Sequence, residues 1–372
     1  MISKSSISSL KLGRAPERFR SRNMRISNSE SQIVPQHESD NEYPNCVPQD
    51  VTVSVFMITY NQATFIAKAI DSVLMQETEF SFELCLGEDA SSDGTREICL
   101  EYARKHPNRI RLFLRTREDV LFVDGFPTGH RNARKTFDAC RGKYIAICEG
   151  DDYWTDKHKL QKQVEFLEEH DECALVFHSA YEYWGDQDSR NRVIAARYDH
   201  DAWVPARKVI LGGGGFIPTP SIIYRRRLLY DDRPPFLIDP PVGDIVIQVV
   251  MAVRGKIRYM NSTMSVYRRN APGSWSSMNQ MGNKMILHTG RVLGLWSEIG
   301  DFVPWKLKGY VLLHTLFITL KAGSASNAFE GDLGLVDFSR VSSPWKRRIL
   351  AWTYQLGKVL GYIRHNYLTR KM

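Results

Sequence analysis

No stretch of this 372-residue chain is both long and apolar enough to span a bilayer; the best candidate, residues 310–320, is too short and contains His314. The basic residues near the N-terminus lead into no apolar core of the signal-peptide kind, which argues against a secretory leader. Cysteine is sparse: Cys46, Cys85, Cys99, Cys140, Cys148 and Cys173 form no Cys-x-x-Cys pair and no Cys/His spacing of the zinc type, so neither a disulfide framework nor a zinc module organises the chain. Most sit in apolar runs, as free core thiols do, and a reducing cytosol is the expected compartment. Acids are scarce at the ends. Residues 1–25 carry seven Lys/Arg against Glu17 alone, and residues 340–372 carry eight and no acid. The formal charge of +8 is therefore a property of the tails, and residues 26–339 are net −6 by difference. Basic tails suit anionic lipid or nucleic acid, whereas an acidic middle speaks against a nucleic-acid-binding core.

With 43% hydrophobic residues, the chain can build one large or two ordinary domains. Residues 1–50 are rich in Ser, Arg, Asn, Gln and Pro without a sustained period, and a disordered tail is expected there. From 51 onward, β-branched runs alternate with helical spacing: strands near 51–58, 80–86, 109–114 and 143–148, helices near 63–75, 95–106 and 129–140. That alternation predicts an α/β fold with a parallel sheet and right-handed crossovers. Ligands of such sheets bind at the carboxyl ends of the strands, where this chain places Tyr60-Asn61, Glu88-Asp89 and Glu149-Gly-Asp-Asp152.

The last of these stands out. Tyr144, Ile145, Ala146, Ile147 and Cys148 read as a strand covered on both faces, and it runs straight into Glu149, Asp151 and Asp152. Carboxylates this close repel one another unless a cation or hydrogen-bond donors compensate them, and a divalent metal carrying a phosphorylated ligand is the natural compensation. The rival reading makes Asp151 and Asp152 the start of the next helix. Asp244 has two readings as well, a helix N-cap after Gly243 or a carboxylate that projects into a cleft. Gly212 to Gly215 read as a flexible connector, in preference to a mobile wall beside a substrate. Residues 270–277 form a loop able to close over a ligand, and further helices are expected near 279–298 and 306–321. From Trp345 onward, Trp345, Ile349, Trp352, Leu356, Val359 and Ile363 step by three and four among basic residues, a basic amphipathic helix that either meets a membrane surface or packs on the rest of the chain.

Taken together, residues 53–61, 82–95, 142–154 and 242–269 resemble, in order, the motifs of family 2 glycosyltransferases of the GT-A fold, and the Glu-Gly-Asp-Asp-Tyr-Trp run is especially similar to bacterial enzymes of surface-polysaccharide synthesis. The resemblance implies a Rossmann-like, mostly parallel sheet flanked by helices over 51–300, with a helical extension over 301–372 ending in the basic helix. It further implies that Thr59, Tyr60, Asn61, Glu88 and Asp89 surround the base and ribose, that Glu149 faces the ribose, that Asp151 holds Mg²⁺ or Mn²⁺ with support from Asp152, and that Asp244 is the catalytic base. Arg268 and Arg269 would meet phosphate oxygens. Departures from the family pattern are Glu149 in place of the first Asp of Asp-x-Asp, and Asn270 where many relatives have His. The implied activity is inverting, metal-dependent transfer from a nucleotide-diphosphate sugar, first of all a UDP-sugar, to a glycan or lipid-linked acceptor. No nucleic-acid partner is expected, an anionic membrane surface is a candidate one, and the expected location is cytoplasmic or peripheral on the cytoplasmic face of the membrane. The alternatives are a catalytically silent relative that binds the sugar nucleotide or scaffolds an assembly, and a nucleic-acid module built on the tails.

Overall fold

The computed structural model describes residues 42–123, 126–238, 240–269, 271, 283–326, 339, 341 and 343–369. Its strands are β1 (Val53–Thr59), β2 (Phe82–Glu88), β3 (Ile110–Leu114), β4 (Leu121–Val123), β5 (Phe126–Thr128), β6 (Tyr144–Ile147), β7 (Tyr153–Trp154), β8 (Cys173–Tyr183), β9 (Arg192–Ile194), β10 (Ala202–Val204), β11 (Ile223–Arg225) and β12 (Lys256–Arg268). The helices are α1 (Ile66–Leu74), α2 (Thr95–Lys105), α3 (His130–Ala139), α4 (Lys159–Glu169), α5 (Ala206–Gly212), α6 (Arg227–Tyr230), α7 (Gly243–Arg254), α8 (Asn283–Phe302), α9 (Trp305–Ser326) and α10 (Pro344–Thr369). The main sheet runs β10-β12-β8-β11-β6-β1-β2-β3, and β7 and β9 add to β12 and β8.

Both faces of this sheet are covered, which explains the uninterrupted apolar runs. Val53, Val55 and Met57 of β1 pack with Ile66, Ile70 and Cys99 on one side, whereas Phe56 joins Val246, Val249 and Val250 of α7 on the other. Six of the ten strands of this mostly parallel sheet run the same way, as expected, whereas β7, β9 and β10 at its margin and three-residue β11 between β6 and β8 run against them. A strand that short has no period to read. Strand β12 is continuous over Lys256–Arg268, although its pairing with β8 slips between Met260 and Thr263. There Ser179 Oγ reaches Ser262 O and Thr263 Oγ1, both at 2.7 Å, so polar side chains take over from the ladder.

Order starts earlier than residue 51. Tyr43 N–H donates to Leu112 O, Cys46 N–H donates to Pro107 O, and Glu42 pairs with Arg111 at 2.8 Å. This segment gains its order by covering the edge strand β3, a source of stability that its own composition does not reveal. Residues 1–41 lie outside the described residues. The expected break near 300 is absent from the packing, because Leu295, Trp296 and Ile299 of α8 and Val311 of α9 share one core with α7. In α10, Trp345, Ile349, Trp352 and Leu356 face outward while Leu350 and Tyr354 are buried; the side chains of Val359 and Ile363 lie outside the described residues.

Candidate active site

Strands β1, β2, β3 and β6 are parallel neighbours, so their carboxyl ends open on one edge of the sheet, and the loops beyond them line a cleft of about 380 Å³. Thr59 ends β1, Tyr60 and Gln62 come from the loop after it, Asp89 from that after β2, Arg117 from that after β3, and Glu149 and Asp151 from that after β6. Asp244 at the start of α7 and Tyr267 and Arg268 of β12 close the far side.

The acidic turn depends on Gly150. Its N–H donates to Ile58 O at 3.0 Å, and a Cβ there would lie 2.5 Å from Gln62 Oε1 and 2.9 Å from Thr59 Oγ1. Any larger residue would push the turn off β1. Held in this way, Glu149, Asp151 and Asp152 bring carboxylate oxygens within 4.8 Å of one another. Asp152 lies behind the other two, fully buried; Oδ1 accepts the Arg268 N–H at 2.8 Å and Oδ2 has no hydrogen-bond partner. The Arg268 guanidinium donates to the Asp151 main-chain oxygen at 2.6 Å. Burial, then like charge, raises the acids: Glu149 goes up to about 8 with Asp151 and Asp244 as its charged neighbours, and Asp152 rises well above the usual carboxylate range beside Asp151 and Glu149. Asp151 also rises by burial, opposed by Arg268 and by a hydrogen bond from Gln62. An orphaned buried oxygen within an all-oxygen, net-negative cluster fits a hard divalent cation such as Mg²⁺ or Mn²⁺. The helix-start reading fails for Asp151 and Asp152, since the chain continues into β7, which pairs with β12, and the next helix begins at Lys159.

Asp244 occupies the first turn of α7, while the N-cap position is Val242 with no side-chain cap. Its Oδ1 accepts the Ile245 N–H at 2.7 Å, and burial pushes it up to about 6. Behind it lies the glycine run. A Cβ at Gly214 would come 2.9 Å from Ile245 and 3.5 Å from Asp244 Oδ2, and one at Gly213, where φ is +57°, would meet the His314 ring of α9 at 2.6 Å. Gly213 and Gly214 lie in a 3₁₀ turn wedged between α7 and α9, and there the close approach, in place of the flexibility expected, is what requires glycine.

Some of the expected residues are not brought to the cleft. Glu88 is fully buried, and its carboxylate accepts the Ser91 N–H at 2.6 Å and pairs with Arg96. Asn61, at φ +50°, accepts the Ser92 N–H on Oδ1 at 3.0 Å. Asp93 takes the N–H groups of Ala63 and Thr95, so the Ser-Ser-Asp-Gly-Thr stretch braces one loop against another. Arg269 is held by Glu182 at 2.7 Å, in contrast to Arg268. Asn270 and residues 272–277 of the expected closing loop lie outside the described residues. Missed in the sequence were Gln62, which takes the Thr59 hydroxyl hydrogen bond at 2.9 Å, Arg117, stacked over Tyr60 at 5.0 Å and donating to Asp89 O, and Tyr267. Arg117 follows the third parallel strand, and topology alone pointed to that loop. Nothing in the local pattern marked Tyr267.

Residues 54–232 match the family model described as glycosyl transferase family 2; Asp244 and Arg268 lie beyond that match. An uncharacterized protein of Mycobacterium tuberculosis is 38% identical over 225 residues, 60% of this chain and 61% of its own length. The chain thus spans about three-fifths of the length of the curated relatives it matches first. The Escherichia coli UDP-Glc:alpha-D-GlcNAc-diphosphoundecaprenol beta-1,3-glucosyltransferase WfgD is 34% identical over 119 residues, 32% of this chain and 42% of its own. S. aureus TarS in complex with UDP-GlcNAc shares the fold, with a TM-score of 0.51 at 15% identity over 82% of this chain and 89% of that one.

Proposed function

We propose that the cleft, whose loops lie largely within the residues 54–232 that match the glycosyl transferase family 2 model, moves a sugar from a nucleotide-diphosphate donor, a UDP-sugar, to a hydroxyl of a glycan or lipid-linked acceptor in polysaccharide synthesis, with inversion. The observation that carries this reading is the cluster of Glu149, Asp151 and Asp152, three carboxylates that Arg268 offsets only in part, across the cleft from Asp244. Thr59, Tyr60, Asp89 and Arg117 line the side where the nucleoside would lie. Asp151 and Glu149, with Asp152 behind them, would hold Mg²⁺ or Mn²⁺. Bound there, the metal would offset the charge that develops on the departing diphosphate. Arg268 supplies guanidinium donors beside the same turn. Asp244 takes the acceptor proton as the oxygen attacks the anomeric carbon; the bond from that carbon to the diphosphate oxygen breaks, and the nucleoside diphosphate leaves with the electron pair. Pushed up to about 6, Asp244 remains mostly ionised near neutrality while being a stronger base than an ordinary carboxylate. The name of the E. coli relative, with UDP-Glc as donor and a diphosphoundecaprenol-linked acceptor, supports the donor and acceptor classes for this chain, and such an acceptor would place the enzyme on the cytoplasmic face of a membrane.

Thermal denaturation with UDP, GDP and UDP-sugars, each with and without Mn²⁺, tests the reading, since a ligand of the native state raises its apparent stability. UDP and a UDP-sugar should raise the midpoint most with Mn²⁺ present, and Asp151→Asn should lose the Mn²⁺-dependent part. Equal Mn²⁺-dependent shifts in the variant and the parent would refute the metal site, and no shift with any nucleotide would refute the donor class.

A further inference from the structure

The two C-terminal helices turn their apolar stripes outward. On α10, Trp345 is 54% exposed and Trp352 68%, with Ile349 and Leu356 on the same face at spacings of three and four. On α9, Trp305 is 77% exposed and Phe317 62%, and Leu313 lies between them at the same four-residue step. The opposite faces hold these helices down: Leu350 and Tyr354 of α10 pack with Leu293 of α8 and Leu316 of α9. Large aromatic side chains left in water at regular helical spacing on two packed helices mark an interaction surface.

Charge identifies the partner. No Asp or Glu occurs in residues 302–326 or 340–372. Lys306, Lys308, Lys321 and Arg348 are exposed on the same helices as the aromatic residues. A second copy of this chain would set positive charge against positive charge, whereas an anionic bilayer complements the charge and accepts tryptophan at the level of its headgroups. No helix among the described residues is long and apolar enough to cross a membrane, so these helices would lie on the surface. We propose that the outward faces of α9 and α10 form a docking surface for an anionic lipid bilayer, with Trp305, Phe317, Trp345 and Trp352 as anchors. The proposal rests on the lipid-linked acceptor of the preceding reading for its purpose, and on these exposed residues for its physics. Docking would act close to the site as well, because α9 presses His314 onto Gly213, next to the glycine that backs Asp244.

The test is co-sedimentation of the full chain with vesicles of phosphatidylcholine alone and of phosphatidylcholine with phosphatidylglycerol. The parent should bind the anionic vesicles and release as salt rises, and the double variant Trp345→Ser/Trp352→Ser should bind roughly tenfold or more weakly. Lys306→Glu/Arg348→Glu should weaken binding to anionic vesicles in the same direction. In both double variants the Mn²⁺-dependent UDP shift should match the parent, which shows that the fold and the donor site are intact. No binding to anionic vesicles, binding that neither variant alters, or a parent dimer in analytical ultracentrifugation that the tryptophan variant disperses would each overturn the proposal. A parent chain that gives the UDP shift but binds no anionic vesicles would sink this proposal alone; a parent that binds vesicles but gives no UDP shift would sink the donor reading alone.

Discussion

Glu88 and Glu149 each stand at the carboxyl end of a parallel strand in one sheet, on either side of β1, and each is followed by an aspartate within two residues. Their surroundings differ in kind. The β2 end is closed on itself: Glu88 pairs with Arg96 and the Ser91 N–H, Asn61 caps Ser92, and Asp93 binds two N–H groups. The β6 end is left open, with an orphaned oxygen on Asp152 and carboxyls raised by burial and mutual repulsion. Acidity at a strand end therefore does not identify a site; acidity that the protein leaves uncompensated does, because desolvated like charges are costly unless something outside the chain binds them.

The largest test of that contrast concerns Asp244, which faces the open end. Asp244→Asn keeps the shape and removes the basicity, so transfer should fall by roughly 10²–10⁴-fold while the Mn²⁺-dependent UDP shift survives. Transfer within a few fold of the parent would return Asp244 to a plain first-turn acid of α7.

The same chemical change at the two strand ends should act with opposite sign. In chelator at pH 8, Glu88→Gln leaves Arg96 without its partner and should lower stability by about 1–3 kcal/mol, without touching the Mn²⁺ response. Asp152→Asn removes one of the crowded charges and should raise stability by about 1–2 kcal/mol in chelator while the gain from Mn²⁺ shrinks. Denaturant melts of both variants decide it, and shifts of the same sign would erase the distinction between the two ends.

A pH series sharpens it further. Asp244 stands near 6 in the fold against an ordinary 3.8, so the folded chain binds more protons there than the unfolded one. Its contribution is fully present below about pH 4 and is lost as pH rises through 6. Measured against Asp244→Asn in chelator, the parent should lose up to about 2 kcal/mol across that window. A difference that stays constant with pH would show that burial does not raise this carboxyl.

The smallest effect is expected at Asn61, on the closed side. Asn61→Gly keeps a residue suited to φ +50° and deletes the bond to Ser92, so it should cost about 0.5–1 kcal/mol of stability and leave donor affinity unchanged. A large loss of UDP affinity would move Asn61 back to the nucleotide.

Much of this was legible before any coordinates. The order β1-α1-β2-α2-β3-α3-β6, the acidic turn at 149–152 and Asp244 at the start of a helix all follow from local spacing, because the periods of helices and strands repeat within a few residues, whereas the three-residue strands β4 and β5 are too short to show a period. What the spacing could not reveal is who meets whom. Glu88 and Asn61 look as available in the sequence as Thr59 and Asp89, and only packing shows that Arg96 and Ser92 occupy them. The Asp152 carboxylate takes its one hydrogen bond from a residue 116 positions further on. Gly212 to Gly215 look like a hinge until His314 closes on Gly213 and Ile245 on Gly214 from two helices. The stripe on α10 is plain in the sequence, but its outward direction is decided by Leu350 and Tyr354 packing against α8 and α9. Local order is set by the chain's own neighbours, whereas burial and the compensation of charge are set by residues that only the completed fold brings within a few ångströms.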